Sequence, residues 1–370
     1  MTTSATTPAT TSAPTLSSAA AAKSSKSKAD RRNLLSRILI GALAGIVLLS
    51  FLMPLGYMFS TGLKSKEQMS DPNAPVLWPF SQQTFTYNGE ELPVYKVPID
   101  NRTVNLAAVK KTRVATTFIN PDDPEAGVFV WQGNWRTLEP AYFPDAQWSN
   151  FKKAWDELNF PLLFRNTLII AVLGTFGAVT SSVFVAYGFA RFDFRGKNFL
   201  FMLLIGTIIL PVQATLIPTY IIFSRIGWTN TFLPLIVPHF FANAYNVFLL
   251  RQYFLQIPRA LDEAAMIDGA NPLQILLKII IPNSVPALAA VSLFHFFFAW
   301  NDFFSPLIYL VSKPELWPLS VGLQKFNSLY GREPNLIQAG ALITLILPVA
   351  VFFLAQRVFM QGVVFSGVEK

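Results

Sequence analysis

The sequence predicts an all-α polytopic membrane protein of six transmembrane helices with a small extracytoplasmic β-containing insert. Three observations predict it. Of 370 residues, 52% are hydrophobic and only 14% charged, against about a quarter charged in a soluble domain. The charges cluster between six long apolar runs, the pattern of spans separated by loops. After the first run comes a stretch rich in Pro, Gly, Asn and Asp that encloses short β-prone segments.

Residues 1–33 are dominated by Thr, Ser, Ala, Pro and Lys. With so little bulky apolar content they are expected to form a disordered cytoplasmic tail. Residues 34–60 form the first transmembrane helix. Its apolar run, 38–59, is too long for a signal-peptide core and no small-residue cleavage site closes it. Residues 61–161 are extracytoplasmic, with the insert at about 81–147 and strands expected near 92–97 and 128–131. A short amphipathic helix over 150–158 is expected at the membrane surface. Residues 162–370 hold the remaining spans, at about 167–190, 199–223, 233–250, 285–311 and 337–359. Pro211, Pro218, Pro234, Pro238, Pro306 and Pro348 lie within them. Such prolines are tolerated where neighbouring helices satisfy the freed carbonyls.

Charge sets the orientation. Lys23, Lys26, Lys28, Arg31, Arg32 and Arg37 precede or enter span 1 with only Asp30 against them. Arg191, Arg195 and Lys197 follow span 2. Arg251, Arg259 and Lys278 follow span 4, while the opposite short loops hold fewer cations. Basic loops stay inside, so both termini are expected in the cytoplasm of a plasma (inner) membrane protein. The net charge of +8 is thus explained by topology. No aromatic-interleaved basic face suits nucleic acid. The absence of cysteine excludes disulfides, thiolate nucleophiles and cysteine-bound metals.

The loop between spans 4 and 5 is the most informative stretch. Residues 258–272 predict a short cytoplasmic helix. Pro258 suits its first turn, and Asp262 and Glu263 complement the positive end of its dipole. Gly269 can end it in a left-handed turn, and Asn271-Pro272 prevents continuation. Glu263-Ala264-Ala265, three residues including Asp268, then Gly269, nine residues, Ile279 and Pro282 resemble the EAA motif of ABC importer permeases. Ile281 stands where that motif usually has Leu. The alternative is an ordinary alanine-rich surface helix.

The resemblance covers most of 34–80 and 148–370 and is nearest to the smaller membrane subunit of carbohydrate (maltose-like) systems. Asn166-Thr167-Leu168, Pro211 to Tyr220, Phe248 to Phe254, Trp300 to Phe303 and the terminal Gly367-Val368-Glu369-Lys370 carry it. It implies the ABC importer permease fold, with 258–272 as the coupling helix that docks into an ATPase. It implies a second homologous permease subunit, two ATP-binding subunits and an extracytoplasmic solute-binding protein. It further implies that 366–370 reach the ATP-binding subunits and that the loop 312–335 probes the binding protein. ATP and magnesium would sit in the partner, with no cofactor bound directly here. The insert at 81–147 departs from the family pattern. It could cradle the binding protein or a neighbouring subunit, or be a neutral elaboration.

Gln213, Asn243, Tyr245, Asn246, Trp300, Asn301 and Asp302 are candidates for a solute pathway, since amides bond hydroxyls and aromatic rings stack on sugars. They could equally hold helices together. Asp302 and Asn301 could also cap a helix break. His239 and His295 stand alone in aromatic runs and are read as structural. The sequence contains no P-loop, no H-E-x-x-H and no nucleophile elbow, so ATP hydrolysis belongs to another subunit. A membrane enzyme would need an acidic cluster, for which Asp122-Asp123 is the one candidate. A secondary carrier would need buried carboxylates that are scarce here.

Overall fold

The computed structural model describes residues 16–71, 74–99, 102–112, 114–328 and 331–365. Residues 366–370, the expected contact with the ATP-binding subunits, lie outside the described residues. The chain divides into two compact units, 1–57 and 58–370.

The first unit holds the greater part of α1 (Leu16–Gly62). The helix begins inside the segment expected to be disordered, because Ala19–Ala22 are the strongest helix formers available.

In the second unit, α2 (Lys66–Ser70) precedes a β module. Strand β1 (Phe80–Gln82) is followed by β2 (Thr84–Tyr87), β3 (Glu90–Ile99), β4 (Arg102–Lys111), β5 (Ala115–Ile119), β6 (Val128–Gln132), β7 (Glu139–Pro140) and β8 (Tyr142–Pro144). The antiparallel order is β2-β3-β4-β5-β6, with β7 on β3. β1 pairs β8 through Ser81 and Phe143, so the module enters and leaves at one point. Alternation along β3 and β4 sends Tyr95, Val97, Leu106 and Ala108 to one core and Leu92, Val94 and Ala107 to another.

Helix α3 (Ser149–Leu158) buries Asn150, Ala154 and Leu158, one face at four-residue spacing. Asn159 in a left-handed conformation turns the chain into α4 (Phe160–Arg191). Among the described residues, four helices are long and apolar enough to cross a membrane alone, or six segments if each of two bent pairs is one span.

Three expected spans are interrupted. The third divides into α5 (Lys197–Gly206) and α6 (Val212–Arg225), flanking a 3-10 turn, and the two sections meet at 99°. The fourth comprises α7 (Leu233–Ile236), a 3-10 turn with Pro238, and α8 (Ala244–Gln256). The fifth, α12 (Val285–Trp300), stops before α13 (Phe304–Tyr309). The physical cause in the third and fourth is proline, which removes a backbone donor and crowds the preceding turn. A short helix, α14 (Leu319–Gly322), precedes the last helix, α15 (Pro334–Phe365), which is continuous around Pro348.

Helix α4 joins the two helical cores. Towards its C-terminus, Val183, Ala186, Tyr187 and Ala190 pack with Leu250, Phe254, Leu276 and Ile280. Towards its N-terminus, Leu163 and Ala171 share a core with Leu158, Trp300, Leu319, Leu336 and Ala339.

Candidate functional site

The loop between α8 and α12 is built from local capping signals. Pro258 is the N-cap of α9 (Arg259–Ile267) rather than a first-turn residue. At the other end Gly269 lies at φ +82°. Gly269 N–H donates to Met266 O at 3.0 Å, and Ala270 N–H donates to Ala265 O at 2.9 Å. That pair of bonds is a Schellman closure, which needs a left-handed residue at the position of Gly269. Asp268 is the C-cap. Asn271-Pro272 stops α9 but also starts α10 (Pro272–Ile275). Asn271 Oδ1 accepts from Gln274 N at 2.9 Å, and Asn271 N donates to Gln274 Oε1 at 2.8 Å. A π-helical turn, Leu276–Ile280, carries Ile279 and leads to α11 (Ile281–Asn283) with Pro282.

This loop is seated on the last turn of α4. Arg191 Nε lies 2.7 Å from Asp262 Oδ2, and both side chains are buried, at 6% and 7% exposure. Arg191 Nη2 donates to Ile257 O at 2.9 Å, and Tyr187 OH donates to Pro272 O at 3.1 Å. Burial pushes the Asp262 carboxyl above the usual carboxylate range. The guanidinium groups of Arg191 and Arg259 hold it down against that, and Glu263 adds to the rise.

The motif residues flank two concavities. One, of about 330 Å³, is lined by Tyr187, Arg191, Asp262, Glu263, Met266 and Pro272. The other, of about 360 Å³, is lined by Ala265, Asp268, Gly269, Gln274, Lys278 and Ile279. Glu263 and Ala264 are exposed, and Met266 and Ile267 expose 58% and 87% of their surface. α9 therefore leaves an apolar face uncovered by the rest of the chain among the described residues.

The pathway candidates do not gather at one place. Asn243 caps α8, its Oδ1 accepting from Tyr245 N at 3.0 Å and Asn246 N at 3.2 Å. Asn243, Tyr245 and Asn246 line a cavity of about 280 Å³ with Phe294, His295 and Phe298. Asp302 lines another, of about 200 Å³, with Thr219, His239, Phe298, Ser305 and Tyr309. Trp300 is instead buried at 3% exposure against Phe164 and Phe296. Asn301 is exposed and donates to Phe297 O at 2.8 Å, closing the end of α12. The Gln213 side chain lies outside the described residues.

His239 and His295 do not stand alone. Asn246 Nδ2 is 3.3 Å from His295 Nδ1, and His295 Nε2 is 3.1 Å from His239 Nδ1. The amide nitrogen can only donate, so His295 Nδ1 accepts and its Nε2–H donates to His239. Both rings therefore serve as neutral links between α8, α12 and the 3-10 turn. Among the described residues, no group of three or more metal-ligating side chains forms. Asp122 and Asp123 are exposed in a turn organised by Asn120, whose Oδ1 accepts from Asp122 N and whose O accepts from Asp123 N.

Sequence reasoning missed Arg191, Asp262 as an ion-pair partner, and the histidine link. Arg191 reads in sequence only as a cytoplasmic charge. Asp262, next to the motif's Glu263, was the available signal.

Several helices long and apolar enough to cross a membrane define a multi-pass membrane protein. Residues 178–364 match the family described as the binding-protein-dependent transport system inner membrane component. The chain is 32% identical over 281 residues to the osmoprotective compounds uptake permease protein GgtD of Synechocystis sp., covering 74% of this chain and 92% of that one. It is 32% identical to the arabinooligosaccharides transport system permease protein AraQ of Halalkalibacterium halodurans, over 56% of this chain and 73% of that one. It is 31% identical to the sn-glycerol-3-phosphate transport system permease protein UgpE of Pectobacterium atrosepticum, over 59% and 80%. The chain belongs to the family of binding-protein-dependent ABC importer permeases, the non-catalytic transmembrane subunits of such systems.

Proposed function

We propose that this chain is one permease subunit of an ATP-driven importer for a sugar or related polar solute delivered by a solute-binding protein. The observation that carries it is α9 with its Schellman closure, capped at Gly269 and presenting Glu263, Ala264, Met266 and Ile267 outward. The motif Glu263, Ala264, Ala265, Asp268, Gly269, Ile279 and Pro282 serves as the docking element for a separate ATPase that holds ATP and magnesium. Two such ATPases and a second, homologous permease complete the assembly. Both termini face the cytoplasm. The names of AraQ and UgpE, which refer to arabino-oligosaccharides and glycerol phosphate, favour a hydroxyl-rich solute. Asn243, Tyr245, Asn246 and Asp302, with Gln213, are the pathway residues in this reading; Trp300 and Asn301 act as helix packing and capping groups. ATP closure draws the coupling helices together, and the bundle alternates between inward- and outward-open states because the ligands bind the two states differently.

The test is reconstitution of the chain with the permease and ATPase encoded beside it and their binding protein. ATPase activity is measured with maltose, trehalose, arabino-oligosaccharide and glycerol 3-phosphate in turn. One of these should stimulate the wild type through the binding protein. Gly269→Val, which forces a β-branched residue to φ +82°, should assemble yet lose that stimulation. If no ATPase co-purifies with the wild type, the reading fails.

A further inference from the structure

Helix α4 is fastened at both ends to loops that leave the bundle at opposite ends. At its C-terminus, Arg191 holds Asp262 and Ile257, and Tyr187 holds Pro272. Both ends of the α9 loop therefore hang from one helical turn. At its N-terminus, Asn166 is fully buried and donates from Nδ2 to Glu315 O at 2.8 Å and Trp317 O at 3.1 Å. Thr167 Oγ1 accepts from Leu319 N at 2.8 Å and donates to Leu163 O at 2.8 Å. These bonds fix the segment 315–319, part of the long loop before α15.

Between the two joints α4 has no interior proline and no break. Every other spanning segment has one or the other: Pro54 in α1, Pro348 in α15, and the interruptions of the third, fourth and fifth spans. From Asn166 to Arg191 the helix rises about 37 Å. A helix that contributes to both close-packed cores transmits a displacement instead of absorbing it.

We propose that α4 is the strut that carries movement of the ATPase-facing loop to the 315–319 loop at the opposite face, with Arg191 as one joint and Asn166 with Thr167 as the other. This rests on the importer reading, in which the ATPase moves α9. Arg191, Asn166 and Thr167 are positioning residues. Opening either joint lets the two loops move independently. Because the joints act in series, opening both does no more than opening one.

The chain has no cysteine, so Lys313→Cys, at a half-exposed side chain, provides one bimane site in an assembly whose partners are made cysteine-free. The complete complex in nanodiscs is compared without nucleotide and after trapping with ATP and vanadate. The parent should show an emission shift on trapping. Arg191→Ala and Asn166→Leu should each abolish the shift while trapping as much nucleotide as the parent. The double variant should match either single one, and Arg191→Lys should restore part of the shift. Thr167→Val replaces Asn166→Leu if the latter does not assemble. A shift that persists in Arg191→Ala and in the outer-joint variant overturns the proposal, as does a parent that traps nucleotide without any shift. Failure of any ATPase to co-purify removes the importer reading, and the proposal with it.

Discussion

Arg191 and Asp262 meet with both side chains more than nine-tenths buried, in the wall of the concavity of about 330 Å³. Burial dominates the carboxyl's environment and raises its proton affinity despite Arg191 and Arg259. The ion pair therefore does not recover the full cost of desolvation, in line with the general behaviour of buried pairs. The folded state binds this proton more tightly than the unfolded chain. Stability from the group is therefore present on the acid side and declines as pH rises from the ordinary Asp value of about 3.9 through the raised folded value. The ion pair behaves oppositely, discharging as pH falls through that same window. Asp262→Asn leaves the buried Arg191 guanidinium without its counterion and should lower stability by roughly 3–5 kcal/mol. Wild-type ATPase stimulation should fall more steeply on acidification than that of Asp262→Asn. Paired pH profiles of stimulated activity would check this, and identical profiles would refute it.

Helix α4 also meets the interrupted fourth span through glycines. A Cβ at Gly177 would stand 2.5 Å from Phe240 Cδ2 and 2.9 Å from its Cγ, whereas one at Gly188 would meet nothing within 4 Å. Gly177→Ala should destabilise by roughly 1–3 kcal/mol through overpacking. Gly188→Ala should stabilise by up to about 1 kcal/mol, because alanine loses less backbone freedom in a helix. Thermal unfolding of the two variants in the same detergent checks the contrast; equal shifts would mean that Phe240 simply swings away. The interruptions themselves arise where Pro211 and Pro238 remove donors and Asn243 supplies the cap for the resumed helix. The prolines were visible in the sequence. Whether a helix continues past one, as α15 does at Pro348, or stops depends on which neighbours accept its freed carbonyls.

At the scale of the whole molecule, the β module is joined to the chain by the β1–β8 pair, and both of its cores are made from its own residues. Replacing 83–141 by an Asn-Gly turn between Gln82 and Tyr142 would convert β1 and β8 into a hairpin. The shortened chain should insert, run as a single species in gel filtration and keep its melting temperature within a few degrees. Aggregation would show that the module supports the helices. The placement of this module was readable from turn residues and β-prone runs. The pairing order was not, since alternation specifies which face a residue takes and not which strand it meets.

Composition and local chemistry were legible along the chain. Hydropathy marked the spans, proline and glycine punctuation marked the loop, and the spacing from Glu263 to Pro282 marked the permease family. Tertiary structure alone decided what depends on residues distant in sequence. It brought Arg191 to Asp262, Asn166 to Glu315 and Trp317, and His239 to His295. It also buried Trp300 in a core against Phe164 and Phe296. Packed helices offer buried polar groups partners from distant parts of the chain, and no sequence spacing encodes those meetings.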